Sequence, residues 1–344
     1  MQLHKLGEFG LIERIRKKFK KARSSKRILV GIGDDTAIIS PHIDKLVLLT
    51  IDTMVEGLHF DLSYMTFADI GWKLMASNLS DIAAMGGIPV CALISLAVPS
   101  SYEVKWIDEL YKGIEKISRR FNVSLVGGDT VSSSLLVVSL SLYGEIDRKK
   151  FSLRSGAKVG DLIFVTGNLG GSEAGRLVLK HNLPLGGEVL AEVKSKHLHP
   201  IPRIDKAKML LKNVRIHSMI DISDGLASEI NHIAEESKVG ALIYEDKIPI
   251  SKSTQKVAEK LGDKAINYAL YGGEDYELLF TLSQGEQKKV KNLTNRIPIG
   301  EIIERKKGVL LIDRNGYKHR LKAKGYEHFK NTISAIKRTR TAMS

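Results

Sequence analysis

Apolar runs of strand length alternate along this chain with longer segments of helical period, and the alternation confines it to a mixed α/β architecture. KLVLLTID (45–52) reads as a buried strand ending on Asp52, and FADIGWKLMASNLSDIAAMGG (67–87) as a helix with a Gly-Gly stop. VCALISLAV and LLVVSLSLYGEI are strand-like by β-branched content, with YEVKWIDELYKGIEKISRRFN as a helix between them. DRKKFS (147–152) breaks the apolar pattern and suits a linker. A second series follows: LIFVTG strand, SEAGRLVLKHN helix, SMIDISDG strand and turn, GLASEINHIAEES helix, ALIYEDKIPI strand, then YELLFTLS and GVLLID as further strands. Two lobes are expected.

Composition narrows the class. At 344 residues, 43% hydrophobic and 27% charged, the chain can bury two substantial cores. No apolar run approaches the roughly 20 residues that span a bilayer, and MQLHKLGEFG lacks the layout of a signal peptide, so a cytoplasmic protein without a membrane partner is expected. The single cysteine, Cys91, excludes an internal disulfide framework and any multi-cysteine metal site, and its apolar setting marks it as a core residue. The net charge of +14 is concentrated: residues 14–27 hold nine basic and no acidic side chains, and residues 318–344 contribute +7. Removing those two segments leaves a body near −2, which argues for solvated basic ends over nucleic acid as a primary partner.

The acidic residues recur where apolar elements meet loops. Asp34 and Asp35 follow a Gly-x-Gly turn in VGIGDDTAII; Asp52 ends a strand; Asp81 lies on the helix of NLSDIAAMGG. Asp129 follows Gly127 and Gly128 in VGGDT, and Asp221 and Asp224 bracket the turn of MIDISDG. Collected carboxylates repel one another, so such a set is tolerable beside cations, and oxygen-only donors point to Mg²⁺ or Mn²⁺ rather than zinc. Mg²⁺ is commonly shared between carboxylates and substrate phosphates, which suggests a nucleotide. G-x-x-x-x-G-K-[ST], the dinucleotide glycine fingerprint and the H-R-D and D-F-G kinase signatures are all absent. VTGNLGGSEAGR (165–176) offers a strand, a Gly-rich turn and a helix whose first amides could face an anion. In HLHPIPR, His197 and His199 read as part of an ordered turn rather than a metal pair, and His59 is the better candidate for an anionic substrate.

Together these blocks resemble the thiamine-monophosphate kinases, within the superfamily of aminoimidazole-ribonucleotide synthetase. LGEFGLIERI, GIGDDTAII, TIDTMVEGLHF, GWKLMASNLSDIAAMGGIP, VGGDT, TGNLGGSEAG, HPIPR, MIDISDGLASEINHIA and YGGEDYELLFT occur in family order over residues 3 to about 329. DISDG followed by GGEDYEL is the most particular to the kinase. The resemblance implies a PurM-like α/β fold with an N-terminal ATP/Mg-binding domain (1–148), a C-terminal domain (149–330) and a basic tail (331–344), the N-terminal lobes of two chains pairing into a shared β-barrel. It implies ATP-dependent phosphorylation of thiamine monophosphate to thiamine diphosphate, the last step of that biosynthesis, with two or more Mg²⁺ ions. Metal ligands would be Asp35, Thr50, Asp52, Asp81, Asp129, Asp221 and Asp224, with Asp35, Asp81 and Asp221 central to catalysis. Tyr111, Gly127, Gly128, Asp129, Arg154 and Ser223 would contact ATP; His59, Glu274 and Tyr326 would contact the acceptor. Selenophosphate synthetase and the hydrogenase-maturation protein are disfavoured because their working cysteines have no counterpart, and aminoimidazole-ribonucleotide synthetase because GGEDYEL does not support it.

Overall fold

The computed structural model describes residues 2–6, 8–20, 27–30 and 38–323. The first part of the chain contains helices α1 (Leu3–Leu6) and α2 (Glu8–Lys20) and the paired short strands β1 (Ile28–Val30) and β2 (Ile38–Ile39). It continues through β3 (Lys45–Val55), α3 (Phe67–Met85), β4 (Ile88–Val98), α4 (Val104–Phe121), β5 (Ser124–Ser132) and β6 (Val137–Asp147). A four-stranded sheet results, in the order β3-β6-β4-β5, with β4 and β5 parallel and the other pairs antiparallel.

The second part builds a seven-stranded sheet. Its elements are β7 (Leu162–Val165), α5 (Gly171–His181), α6 (Gly187–Leu198), α7 (Ile204–Asn213), β8 (Ser218–Asp221), α8 (Leu226–Ser237) and β9 (Gly240–Tyr244). They are followed by α9 (Lys252–Leu261), α10 (Ala265–Tyr271), β10 (Leu278–Leu282), α11 (Gln287–Thr294), β11 (Gly300–Ile303), β12 (Val309–Ile312) and β13 (Lys318–Arg320). The strand order is β13-β12-β9-β11-β7-β10-β8. The mixed α/β class is as the alternation predicts. ALIYEDKIPI is strand only through Tyr244, because a 3₁₀ turn at Glu245–Lys247 ends it.

Helix α3 explains how the two sheets meet. A capping box starts it: Asp69 N–H donates to Thr66 Oγ1 at 3.2 Å, and Thr66 N–H donates to Asp69 Oδ2 at 2.9 Å. Gly86, at φ 80°, ends it in the left-handed conformation that the Gly-Gly stop anticipates. Between these caps nearly every side chain is buried. A methyl group on Gly113 would stand 1.9 Å from the carbonyl oxygen of Ala68, so glycine lets α4 lie directly on α3. A single apolar cluster runs from Leu74, Leu79 and Leu140 to Phe164, Leu210, Met219 and Phe280. The two sheets therefore share one core through α3.

Strand β3 extends three residues beyond the sequence expectation, so Asp52 lies within the strand, opposite Leu140, rather than at its end. The period of two then sorts its side chains. Thr50 and Asp52 share the face with Met54, which is 5% exposed, whereas Val47, Leu49 and Ile51 are 51%, 79% and 64% exposed on the other.

Candidate functional site

α3 also carries the polar residues of the site. Lys73, Ser77, Ser80 and Asp81 follow helical spacing along one face. Ser80 Oγ donates to Asp221 Oδ2 at 2.7 Å, joining the helix to the last residue of β8. The Thr50 hydroxyl donates to Asp81 Oδ2, joining the same helix to β3. Asp52 Oδ2 is buried without a hydrogen-bond partner among the described residues.

These three aspartates feel one another's charge. Burial, followed by the charge of Asp81, pushes the Asp52 pKa up to about 6 against a hydrogen bond from Ser77. Burial raises the Asp221 pKa too, followed by repulsion from Asp81, with Asp52 a smaller contributor. Asp81 is also raised by burial, offset by the Thr50 hydroxyl and the positive charge of Arg154. Among the described residues no group of three or more His, Cys, Asp or Glu closes into a metal cage by itself. An orphaned buried oxygen beside repelling carboxylates is nevertheless a donor set that suits a hard cation whose remaining ligands come from water or phosphate.

The other expected residues divide. Asp34, Asp35 and Tyr326 lie outside the described residues. Gly127, Gly128 and Asp129 form part of β5 instead of a turn: Gly128 pairs with Ile94, and a methyl group there would stand 2.1 Å from the Ile94 carbonyl oxygen. Asp129 is exposed, and its Oδ1 accepts from Thr130 N–H at 2.9 Å. Tyr111 is 2% exposed in the core, edge-on to Phe19 at 6.0 Å. Arg154 is exposed, close enough for its charge to act on Asp81. His59 is half-buried beyond β3, its Nδ1 accepting from Val55 N–H at 3.0 Å. Ser223 and Asp224 form the turn after β8.

Glu229 holds that turn, and sequence reasoning missed it. Its Oε1 accepts from the N–H and hydroxyl of Ser223 at 3.0 and 3.1 Å, and from Asp224 N–H at 2.8 Å. Burial pushes its pKa up to about 8. Its position, five residues after Asp224 in the first turn of α8, was the available signal.

GGEDYE spends its three carboxylates in three directions. Glu274 Oε2 takes the Lys73 ammonium at 2.6 Å. Asp275 accepts from Gly170 N–H at 2.6 Å and Ser172 N–H at 3.1 Å, so the helix start in the Gly-rich turn is filled by this chain's own carboxylate. Glu277 receives the Arg203 fork and the Thr166 hydroxyl. The histidines also part: His197 is buried beside Lys73, while His199 Nε2 lies 2.7 Å from Asp69 Oδ1.

This two-sheet arrangement is that of the AIR synthase related proteins, whose N-terminal domain model matches residues 33–146 and whose C-terminal domain model matches residues 158–313. A thiamine-monophosphate kinase of Aquifex aeolicus is 39% identical over 330 residues, covering 96% of this chain and all of the relative. The chain belongs to the thiamine-monophosphate kinase family. The crystal structure of the kinase from Stenotrophomonas maltophilia superposes with a TM-score of 0.77 at 31% identity, covering 90% of this chain and 97% of that one. A structure of AaThiL complexed with AMPPCP and TMP gives 0.75 at 37% identity, covering 96% and 99%.

Proposed function

We propose that this chain transfers the γ-phosphoryl group of ATP to thiamine monophosphate, giving thiamine diphosphate and ADP. The observation that carries this reading is the likeness over nearly the whole chain to a relative solved with AMPPCP and TMP. The site chemistry agrees: the acceptor oxygen is already ionised at neutral pH, so positioning and charge neutralisation suffice and no strong base is required. Asp52, Asp81 and Asp221 would hold two or more Mg²⁺ ions, with Thr50, Asp224, Asp129 and Asp35 as further oxygen donors. When bound, the ions supply positive charge against the crowded phosphates. Ser80 and Thr50 keep two of the carboxylates in place by direct donation. Arg154, Ser223 and the Gly127–Asp129 segment would meet ATP; His59, Glu274 and Tyr326 would meet the acceptor.

The same reading includes a cytoplasmic homodimer and the division into 1–148, 149–330 and 331–344, supported by the passage from one sheet to the other between Asp147 and Leu162. No helix among the described residues is long and apolar enough to cross a membrane. Leu49, Ile51 and Leu93 are 79%, 64% and 46% exposed on the open face of the four-stranded sheet, an apolar surface of the kind a second copy covers. Leu49→Glu is therefore expected to convert a dimer to a monomer by light scattering; a wild-type monomer at micromolar concentration would count against the pairing. The basic α2 does not favour nucleic acid: Arg14 forks onto Asp108 at 2.6 and 2.5 Å, and Arg16 lies 3.4 Å from Glu13.

ADP release with Mg²⁺-ATP, measured across thiamine, thiamine monophosphate and formylglycinamidine ribonucleotide, tests the function. Release is expected with thiamine monophosphate, and activity on the last compound alone would overturn the assignment.

A further inference from the structure

The most unusual charge in the molecule is Lys73. Its side chain is 0% exposed, although it sits in the middle of a core helix where an apolar residue would avoid any desolvation cost. The ammonium lies 2.6 Å from Glu274 Oε2 and 3.4 and 3.5 Å from the two ring nitrogens of His197. Burial, then the charges of Lys73 and Arg176, push the His197 pKa well below its ordinary value. The imidazole is therefore neutral, and its 3.7 Å approach to Glu274 is not an ion pair. Ser172 Oγ, at 3.2 Å from His197 Nδ1, also holds the ring.

Glu274 is held just as firmly from its backbone. It takes φ +65°, and Tyr276 two residues on takes φ +48°, both in the region that non-glycine residues avoid at a cost of about 1 kcal/mol or more each. Two hydrogen bonds pin this conformation to the turn after β8: Glu274 N–H to Ser223 O at 2.7 Å and Tyr276 N–H to Ile222 O at 2.9 Å. The Glu274 side chain nevertheless remains 30% exposed, and among the described residues no hydrogen bond reaches its Oε1. A strained backbone and a buried cation thus converge on a carboxylate with one oxygen open.

We propose that Lys73 is a positioning residue for acceptor recognition: its buried ammonium holds Glu274 Oε2 so that Oε1 accepts an N–H from a neutral amino-heterocycle. The proposal rests on the kinase reading above and deepens it by naming the group that is recognised. Because Lys73 already balances the charge of Glu274, a neutral N–H donor enters an electrically matched site, whereas a cationic amine would approach a second cation. The pair also ties acceptor recognition to α3, the helix that carries Ser80 and Asp81.

The test is steady-state ADP release by the full chain with each substrate varied in turn, for Lys73→Met, Glu274→Gln and the double variant. Lys73→Met is expected to raise the acceptor KM about 10-fold or more while the ATP KM stays within about twofold. The double variant is expected to be no worse than the poorer single one. An acceptor analogue with hydrogen in place of the pyrimidine amino group, discriminated against by the wild type, should be treated by Lys73→Met almost like thiamine monophosphate. An unchanged acceptor KM, or equal rises in both KM values, would overturn the proposal. Should Lys73→Met fail to fold, Glu274→Gln decides alone, because its side chain is partly solvated: an unchanged acceptor KM in that variant overturns the proposal equally. A wild-type protein inactive on thiamine monophosphate would instead defeat the function reading, so the two failures are distinguishable.

Discussion

Asp81→Asn is expected to lower the turnover number for ADP release by about 1,000-fold or more, a loss of about 4 kcal/mol of transition-state stabilisation, while the fold survives. Asparagine keeps the shape and an oxygen that can accept the Thr50 hydroxyl, so the link between α3 and β3 is retained. What disappears is the negative charge that raises the pKa of Asp52 and Asp221. In the absence of metal the variant should melt at the same temperature as the wild type or higher, because one member of a repelling set has been neutralised. Mg²⁺ should then stabilise it far less than it stabilises the wild type, since a ligand that binds only the folded state raises stability by mass action. Thermal melts with and without Mg²⁺ check this beside the kinetics. Near-normal turnover would remove Asp81 from the phosphoryl-transfer site.

Glu277→Ala should act on stability instead, costing about 3–5 kcal/mol, the range for stripping one partner from a buried ion pair. Glu277 is 0% exposed as a residue, and Arg203, whose side chain is 17% exposed, makes no other ion pair among the described residues. Lys196, 3.8 Å away, would be left beside the same cavity, and the Thr166 hydroxyl would lose its acceptor at 2.7 Å. Burial alone would raise the Glu277 pKa, but the charge and hydrogen bonds of Arg203, with Lys196 and Lys206, outweigh it and hold the carboxyl below its ordinary value. A depressed carboxylate contributes its stability above the unfolded value of about 4.3 and loses it as pH falls through the folded value. The wild type should therefore shed this contribution in acid, and the difference between wild type and Glu277→Ala should shrink as pH drops below about 4. Denaturant melts at neutral and acid pH measure both effects, and a loss under about 1 kcal/mol at neutral pH would show that the pair is worth little.

Local pattern revealed much of the fold. α3 was legible from its apolar period and Gly-Gly stop, β3 from its apolar run and β6 from its β-branched content, whereas the alternation that leaves one face of β3 exposed emerged only in the structure. VGGDT misled because Gly-Gly-Asp is turn chemistry in isolation, yet here the glycines serve the close pairing of β5 with β4. α6 and α7, either side of HPIPR, were passed over because the prolines of that short link dominated the reading. In the candidate site, Asp52, Asp81 and Asp221 stood out as carboxylates where apolar elements meet loops, and the structure brings them within one another's field. The roles of Lys73, Ser80 and Glu229 were not readable, since their partners are distant or ordinary: Glu274 lies 201 residues from Lys73, and Asp221 lies 141 from Ser80. The resemblance singled out Glu274 among the acids of GGEDYE, but nothing in the sequence showed that Glu274, Asp275 and Glu277 go to a buried lysine, a helix start and an arginine fork.

The apolar cluster that passes through α3 bears on how this enzyme can be divided. Cutting the chain in the link between the sheets would bare Phe164, Leu210, Met219 and Phe280 on one fragment and Leu74 and Leu79 on the other, and would strand a lysine in an apolar wall. The halves are not interchangeable cassettes. A chimaera that grafts a different second half onto this first half would have to bring its own answer to Lys73, or acceptor recognition and folding would fail together.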